Sequence, residues 1–443
     1  MTDQYQTPLV SRYASKSMSK LFSPQNKYET WRELWIALAE GQKRAGLPVT
    51  DAQIKALKTH VKNIDFKRVA FHENRTKHEV MAHIHAYAEV APEAEGILHL
   101  GATSSYVMDN GDLIVFRQAL ELIYQKLLLT IEILSKFANN YAETACVGFT
   151  HFQEAQPTTV GKRACTWLQD LYFDALEIKG VLQNFPFLGV RGATGTQSSF
   201  LALLESEKKV RDLESHVAQS FGFTSTYDIV TQTYPRKFDV KLSTVCSGIA
   251  VSLHKFATDI RLLSHTGEIQ EPFEEKQVGS SAMPYKKNPM RSERICSIAR
   301  FVLSLEQNAA YTASLQWLER SLDDSANRRM SIPQMFLGVD SLLQIAINLI
   351  PNLRVELKEI ERRYQNALPK FSQELQIMEL SKQGVSRQKA HEELRKKGVS
   401  KEHQSDEKAL LGTSISQVKN FLKEKISPLI KERKQLDITS LEV

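Results

Sequence analysis

The chain has 443 residues, 42% apolar and 24% charged, a globular composition that excludes disorder as a global description. Gly and Pro together make up about 7% of it, under the roughly 12% of average usage, which argues against a many-turned β-sandwich or barrel and for long helices with few connections. The net charge of +6 is mild, and basic residues are dispersed among acidic ones, so no nucleic-acid-binding face stands out.

Four cysteines (Cys146, Cys165, Cys246, Cys296) are far apart and form no CxxC, which suits a reducing compartment and offers no zinc ribbon. The first twenty residues lack an apolar signal-peptide core, and the apolar stretch 342–350 is interrupted by Gln344 and Asn348 and is too short to span a bilayer. A cytoplasmic protein with neither membrane nor nucleic acid as partner is the expectation.

Along the chain, residues 28–45 read as a helix closed by Gly46 and Pro48, 51–61 as a second, and the His- and Glu-rich stretch 72–90 as further helix. From Leu113 the apolar positions step by three and four through Phe116, Leu120, Ile123, Leu127, Leu134, Phe137 and Tyr141, with Thr130 in the one polar slot. Leu242, Val245, Ile249, Leu253, Phe256, Ile260 and Leu263 repeat the pattern, and 158–183, 289–319 and 334–364 read as more helix. Helices this long need one another to bury their stripes, so the expected class is all-α with a central long-helix bundle. The boundaries read from the pattern are an N-terminal helical domain at 1–111, the bundle at 112–360 and a C-terminal helical domain at 361–443.

Chemistry is expected where the helical pattern stops. The polar stretch 271–293, EPFEEKQVGSSAMPYKKNPMRSE, places Gly279 before Ser280 and Ser281, then Lys286, Lys287 and Asn288. Such a loop can fold over an anionic substrate and stabilise developing negative charge, or be a basic surface loop, and composition leaves both open. His78 and His83 are five apart, about 140° around a helix, a poor metal pair. GATSS at 101–105 offers small residues and hydroxyls before a long helix, either an anion site or an ordinary cap region. His151 sits in a break, GFTHFQ, and 319–329 packs three arginines and two hydroxyls, a phosphate pocket or a charged connection.

GSSAMPYKKNPMRSER at 279–294 resembles the GSSxMPxKxNP signature of the fumarase/aspartase superfamily, whose members eliminate fumarate from succinyl-type substrates. LDDSANRR at 322–329, GFTHFQ at 148–153, SRYAS at 11–15, KHEVMAHIHAY at 77–87, GATSSYVMDN at 101–110 and TQTYPRK at 231–237 are similar to its adenylosuccinate lyase branch. The resemblance implies the three-domain fumarase/aspartase-like fold and a homotetramer of paired bundles with active sites shared between subunits, which would account for seams too extensive for one chain to bury. It implies cleavage of adenylosuccinate and of the succinylated aminoimidazole carboxamide ribotide, SAICAR, with no metal and no organic cofactor.

By the same matching Ser280 is the base, His151 the acid that protonates the leaving nitrogen, His78 a histidine that orients the substrate, and Lys286 a cation on the succinyl carboxylate. Arg12, Tyr13, Lys77, Glu79, Thr103, Ser104, Gln232, Asn288, Arg294, Arg320, Ser325 and Arg329 are implied to bind nucleotide or succinyl groups. At 77–79 the chain reads Lys-His-Glu where many relatives have Arg-His-Asp; Lys lacks the bidentate fork and Glu is longer by a methylene. Other readings remain: a sister lyase acting on argininosuccinate, aspartate or malate, and a non-catalytic structural homologue.

Overall fold

The computed structural model describes residues 4–273, 282–283, 285–397 and 407–435. After a π-helical turn, Leu9–Tyr13, come α1 (Lys16–Leu21), α2 (Pro24–Arg44), α3 (Asp51–Thr59), α4 (Phe66–Thr76) and α5 (Glu79–Val90). Their starts are written into the sequence: the Ser15, Ser23, Thr50 and Asp65 side chains each accept a first-turn backbone N–H, and Pro24 takes the first position of α2, where no N–H is needed. The stretch 72–90, expected as continuous helix, is broken. Lys77 turns left-handed (φ 53°) to close α4, and His78 begins α5 by accepting the Met81 N–H on its own ring. Histidine is not a usual capping residue, so the pattern carried no mark of the break.

The long elements follow: α6 (Ser104–Asn140), the hairpin β1 (Ala145–Thr150) and β2 (Gln153–Thr159), α7 (Val160–Gln183), α8 (Ser198–Leu204), α9 (Glu207–Ser220), α10 (Lys237–Thr266), the short β3 (Ile269–Gln270), α11 (Met290–Ser314) and α12 (Asp324–Leu349). A 3-10 turn and β4 (Arg354–Val355) then interrupt the helix expected over 334–364, with β4 pairing antiparallel to β3. Pro351 cannot continue a helical hydrogen-bond ladder, and the chain turns there. The chain ends in α13 (Leu357–Lys382), α14 (Arg387–Lys397), α15 (Glu407–Leu411), α16 (Ser414–Phe421) and α17 (Ser427–Gln435). Residues 111 and 360, expected as domain limits, lie inside the continuous α6 and α13.

α6, α7, α10, α11 and α12 form the bundle. Leu113, Leu120, Ile123, Leu127, Leu134, Ile249, Leu253 and Ile260 are fully buried, each worth about 1.5–3 kcal/mol of apolar transfer. Thr130 fills its polar slot by donating its hydroxyl to the Lys126 carbonyl at 2.8 Å. The expectation that these seams exceed what one chain buries is not met: both stripes are covered within the chain. Other apolar side chains stay exposed, among them Phe173 and Leu176 on α7, Val251 and Leu262 on α10, and Phe301 on α11. The span Asp324–Asn352 is long and apolar enough to cross a membrane by length and composition, but 72% of its most apolar window is buried in this bundle. Gly338 lets α12 approach α11, since a Cβ there would lie 2.6 Å from Val302 Cγ2.

The charge pairs fix directions. Asp109 of α6 and Asp324 of α12 both bond Arg236, which precedes α10, and Asp239 of α10 bonds Arg328 of α12. α6, α10 and α12 therefore begin at one end of the bundle. The β1–β2 hairpin, the β3–β4 pair and the start of α11 lie at the opposite end.

Candidate active site

The Lys77-His78-Glu79 corner packs against the start of α6. Because His78 Nδ1 accepts the Met81 N–H (3.3 Å), a neutral ring carries its proton on Nε2, which faces Ser104 Oγ at 3.3 Å. The tautomer is thus set by the cap. Thr103 precedes α6 with no side-chain cap bond, and Gly101 before it needs its positive φ (77°), leaving a long-helix N-terminus beside the imidazole. One turn in, Ser105 Oγ donates to Gln232 Oε1 at 3.4 Å, while Gln232 Nε2 donates to the Ala193 carbonyl and its backbone N–H to the Glu319 carbonyl.

That last bond joins the corner to the α11–α12 connection. Arg320 Nη1 donates to Asp324 Oδ1 at 3.0 Å; Asp324 Oδ2 takes Arg236 Nε at 2.6 Å, and Arg236 forks onto Asp109 at 2.9 and 3.2 Å. Arg236, Asp109 and Asp324 are almost completely buried, so the network holds Arg320 from below. Ser325 and Arg329 line a cavity of about 290 Å³ with Lys27, Tyr28, Trp31, Asp112 and Arg328. Arg329 Nη2 donates to Glu79 Oε2 at 2.5 Å, and Lys27 Nζ and Tyr28 Oη reach Oε1 at 2.7 and 3.0 Å. Burial alone would raise the Glu79 carboxyl; Lys27, Arg329 and Tyr28 outweigh it and hold it down at about 2.

The structure therefore brings Lys77, His78, Glu79, Thr103, Ser104, Gln232, Arg320, Ser325 and Arg329 to one end of the bundle. The others are elsewhere. Arg12 and Tyr13 sit in the π-helical turn, anchored beyond it by Ser15, whose N–H and hydroxyl donate to buried Asp340, itself paired with Lys126 at 2.6 Å. The Arg294 guanidinium, early in α11, stands over the Tyr13 ring at 5.6 Å. Lys286 and Asn288 lie in the non-helical run into α11, whose start Glu271 secures by accepting from Ser292 N (2.7 Å), Ser292 Oγ (2.6 Å) and Arg291 N (3.0 Å). Ser280 and Ser281 lie outside the described residues.

His151, expected in a loop, tips the β1–β2 hairpin. His151 and Phe152 both have positive φ (52° and 58°), the two-residue turn that Asn-Gly usually makes. Bulky residues are costly there, and such strain gathers at functional positions. The His151 side chain makes no hydrogen bond or ion pair among the described residues. His83, judged with His78 a poor metal pair, is buried, stacked on Tyr28 (3.8 Å between centroids) and edge-on to Trp31, and burial lowers its pKa to about 4. Among the described residues no group of three His, Cys, Asp or Glu is placed to hold a metal.

Lys27, Tyr28, Asp324, Arg236 and Arg328 carry much of this geometry and were not singled out from the sequence. Lys27 and Tyr28 meet Glu79 across some fifty residues, and no local pattern signals such a pairing. The buried ion network had one legible trace, two acidic and two basic residues inside LDDSANRR.

Known proteins resemble this chain throughout. A family described as lyase matches residues 14–304. Adenylosuccinate lyase of Schizosaccharomyces pombe is 47% identical over 394 residues, 88% of this chain and 82% of that protein, and that of Saccharomyces cerevisiae is 47% identical over 396 residues, with the same coverage. Adenylosuccinate lyase of Pyrococcus abyssi is 30% identical over 388 residues, 87% of this chain and 84% of its own. Among solved structures, 3-carboxy-cis,cis-muconate lactonizing enzyme from Pseudomonas putida superposes with a TM-score of 0.81 at 23% identity, covering 97% of this chain and 99% of that one. Fumarate lyase from Mesorhizobium sp. BNC1 gives 0.77 at 22% identity, covering 98% and 94%. These two show the fold. The chain, with its helical bundle and its corner of histidine, glutamate and arginines, belongs to the adenylosuccinate lyase family of the fumarase/aspartase superfamily.

Proposed function

We propose that this protein is an adenylosuccinate lyase that releases fumarate from adenylosuccinate to give AMP, and from SAICAR to give AICAR, in the cytoplasm, where its four free cysteines would stay reduced. One observation carries the reading beyond the relatives' names. Segments around residues 77, 103, 232, 320 and 329 converge on one corner that presents an imidazole of fixed tautomer, a helix N-terminus and two guanidiniums. That set suits a phosphorylated dicarboxylate.

In this reading Ser280, as alkoxide, takes the proton from the succinyl carbon adjacent to the one bearing nitrogen. Lys286 and Asn288 hold the carboxylate onto which the carbanion's charge spreads. The C–N bond then breaks, the electron pair leaves with the purine nitrogen, and His151 protonates it. Both proton transfers are covered by side chains, so no metal or organic cofactor is assigned.

The His78 corner and the His151 hairpin do not meet within one chain. His78 touches the first residue of α6, whereas the His151 hairpin follows its last turn, and 37 helical residues span about 55 Å. A six-residue strand folded back over that length reaches only about 20 Å. We therefore infer that neighbouring subunits complete each site, in the homotetramer that the family resemblance implies. The exposed Phe173, Leu176, Val251, Leu262 and Phe301 on the long helices supply an apolar face for the pairing.

Purified protein incubated with adenylosuccinate is expected to yield AMP and fumarate, followed by ultraviolet absorbance and confirmed by chromatography. Turnover of argininosuccinate, aspartate or malate in place of adenylosuccinate and SAICAR would overturn the substrate assignment. Ser280→Ala should abolish turnover with assembly intact; survival of that variant alongside a dead Ser281→Ala would move the base by one residue.

A further inference from the structure

Glu79 is held from three elements. Lys27 and Tyr28 of α2 both engage Oε1, and Arg329 of α12 donates once to Oε2. The Lys27 ammonium is itself fixed, 5.0 and 4.9 Å from the centroids of the Tyr28 and Trp31 rings. Arg329 is half exposed (52%), and its remaining N–H groups meet no protein acceptor among the described residues. A carboxylate facing one guanidinium alone favours a two-bond fork. Here the second oxygen is already occupied, so Arg329 makes one bond and keeps an open edge on the 290 Å³ cavity it shares with Ser325 and Arg328.

We propose that Lys27 is a positioning residue: it shares Glu79 Oε1 with the Tyr28 hydroxyl, and its charge, which that neutral donor does not replace, keeps Arg329 from closing as a fork on the carboxylate and so presents the guanidinium to an anionic group of the substrate. The inference rests on the assignment of Arg329 to substrate binding made above. Lys27 itself touches no ligand in this arrangement. It acts through the Glu79 carboxylate, which bridges α2 and α12.

Lys27→Met removes the charge and keeps an unbranched stem against Tyr28 and Trp31. We expect KM for adenylosuccinate to rise about tenfold with kcat changed by less than about twofold, and Lys27→Arg to restore KM. In a Glu79→Gln background, where no carboxylate competes for Arg329, Lys27→Met should leave KM unmoved. Inhibition constants for AMP and fumarate tell which anion Arg329 meets: a rise for AMP alone means phosphate, and a rise for fumarate alone means carboxylate. Unchanged KM and inhibition constants, a loss confined to kcat, or an equal KM effect in the Glu79→Gln background would overturn the proposal. Wild-type protein in the same assay keeps the two readings apart: if it is inert on adenylosuccinate the function falls, and if it is active while Lys27→Met is indifferent only the role of Lys27 falls.

Discussion

The two ends of the bundle are built on opposite principles. Where α6, α10 and α12 begin, charge is interlocked and buried: Arg236 between Asp109 and Asp324, Arg328 between Asp239 and Asp112, and Asp324 passing the chain of bonds on to Arg320. Side chains proposed to face the ligand there are held in place by protein partners, which is the preorganisation that electrostatic recognition needs. At the opposite end His151 stands on a turn of two left-handed residues with no side-chain partner among the described residues, and Lys286 is exposed. One end is interlocked; the other displays its groups outward, as the proposed sharing of sites between subunits requires.

The strongest way to break this comparison is to ask whether the two ends of one chain ever serve the same site. His78→Ala and His151→Ala should each be nearly inactive. If neighbours complete each site, mixing the two under conditions of subunit exchange restores activity toward about a quarter of wild type, because random assembly pairs an intact corner with an intact hairpin about that often. Purified homotetramers mixed with exchange confirmed by mass spectrometry, and still inactive, would place both histidines in a single-chain site and contradict the lengths given above.

The second contrast is in stability. Asp324→Ala removes the shared partner of Arg236 and Arg320 and leaves buried positive charge under-compensated, at a cost of about 3–5 kcal/mol. His151→Ala should change stability by less than about 0.5 kcal/mol, since the side chain is exposed and bonds nothing among the described residues. Urea denaturation of both variants checks the pair. Comparable losses would mean that the hairpin is as integrated as the corner.

This contrast also explains what could be read without coordinates. The long helices were legible because a three-four apolar step needs only local sequence, and Leu113 to Phe137 and Leu242 to Leu263 are buried as that step requires. The segments of the first end were legible as interruptions and as motif matches, but their meeting was not. Lys27 and Glu79, or Asp109 and Arg236, are brought together by helix packing, whose register no single sequence displays. The break at Lys77 and His78 escaped because a capping imidazole and a left-handed lysine mimic helical residues in a hydrophobicity pattern. The hairpin escaped because His151-Phe152 lacks the Asn-Gly chemistry that announces such a turn.

Acid should expose the first end before the second. Burial lowers His83 from its ordinary 6.5 to about 4; the nearby Glu79 carboxylate works against that, while Arg32 and Lys27 add to it. A histidine depressed in the folded state contributes stability that is complete above pH 6.5 and is lost as pH falls toward 4, because the unfolded chain takes up the proton first. The loss should reach about 2 kcal/mol by pH 5. His83→Phe keeps the ring stacked on Tyr28, and His83 Nε2 has no hydrogen-bond partner to lose. Its urea midpoint should therefore be flatter between pH 7 and pH 5 than that of the wild type. An unchanged slope would assign the acid sensitivity to another group.

The smallest effect is the most informative about the hairpin. Phe152 occupies the second position of a two-residue turn at φ 58°, where a side chain costs about 1 kcal/mol and glycine costs nothing. Against that, its ring lies 5.8 Å from Phe149 and is 46% exposed, so only part of its packing is at stake in the isolated chain. Phe152→Gly should therefore be neutral or stabilising by up to about 1 kcal/mol in the chain by itself. Under the proposed mechanism the same substitution frees the backbone beside His151, and a general acid that must meet a leaving nitrogen within hydrogen-bond distance would lose its fixed approach. The expected signature is a fall in kcat without a fall in stability. If kcat holds while stability rises, the strain at the hairpin tip does no more than close the turn, and the outward display of His151 needs no rigidity of its own.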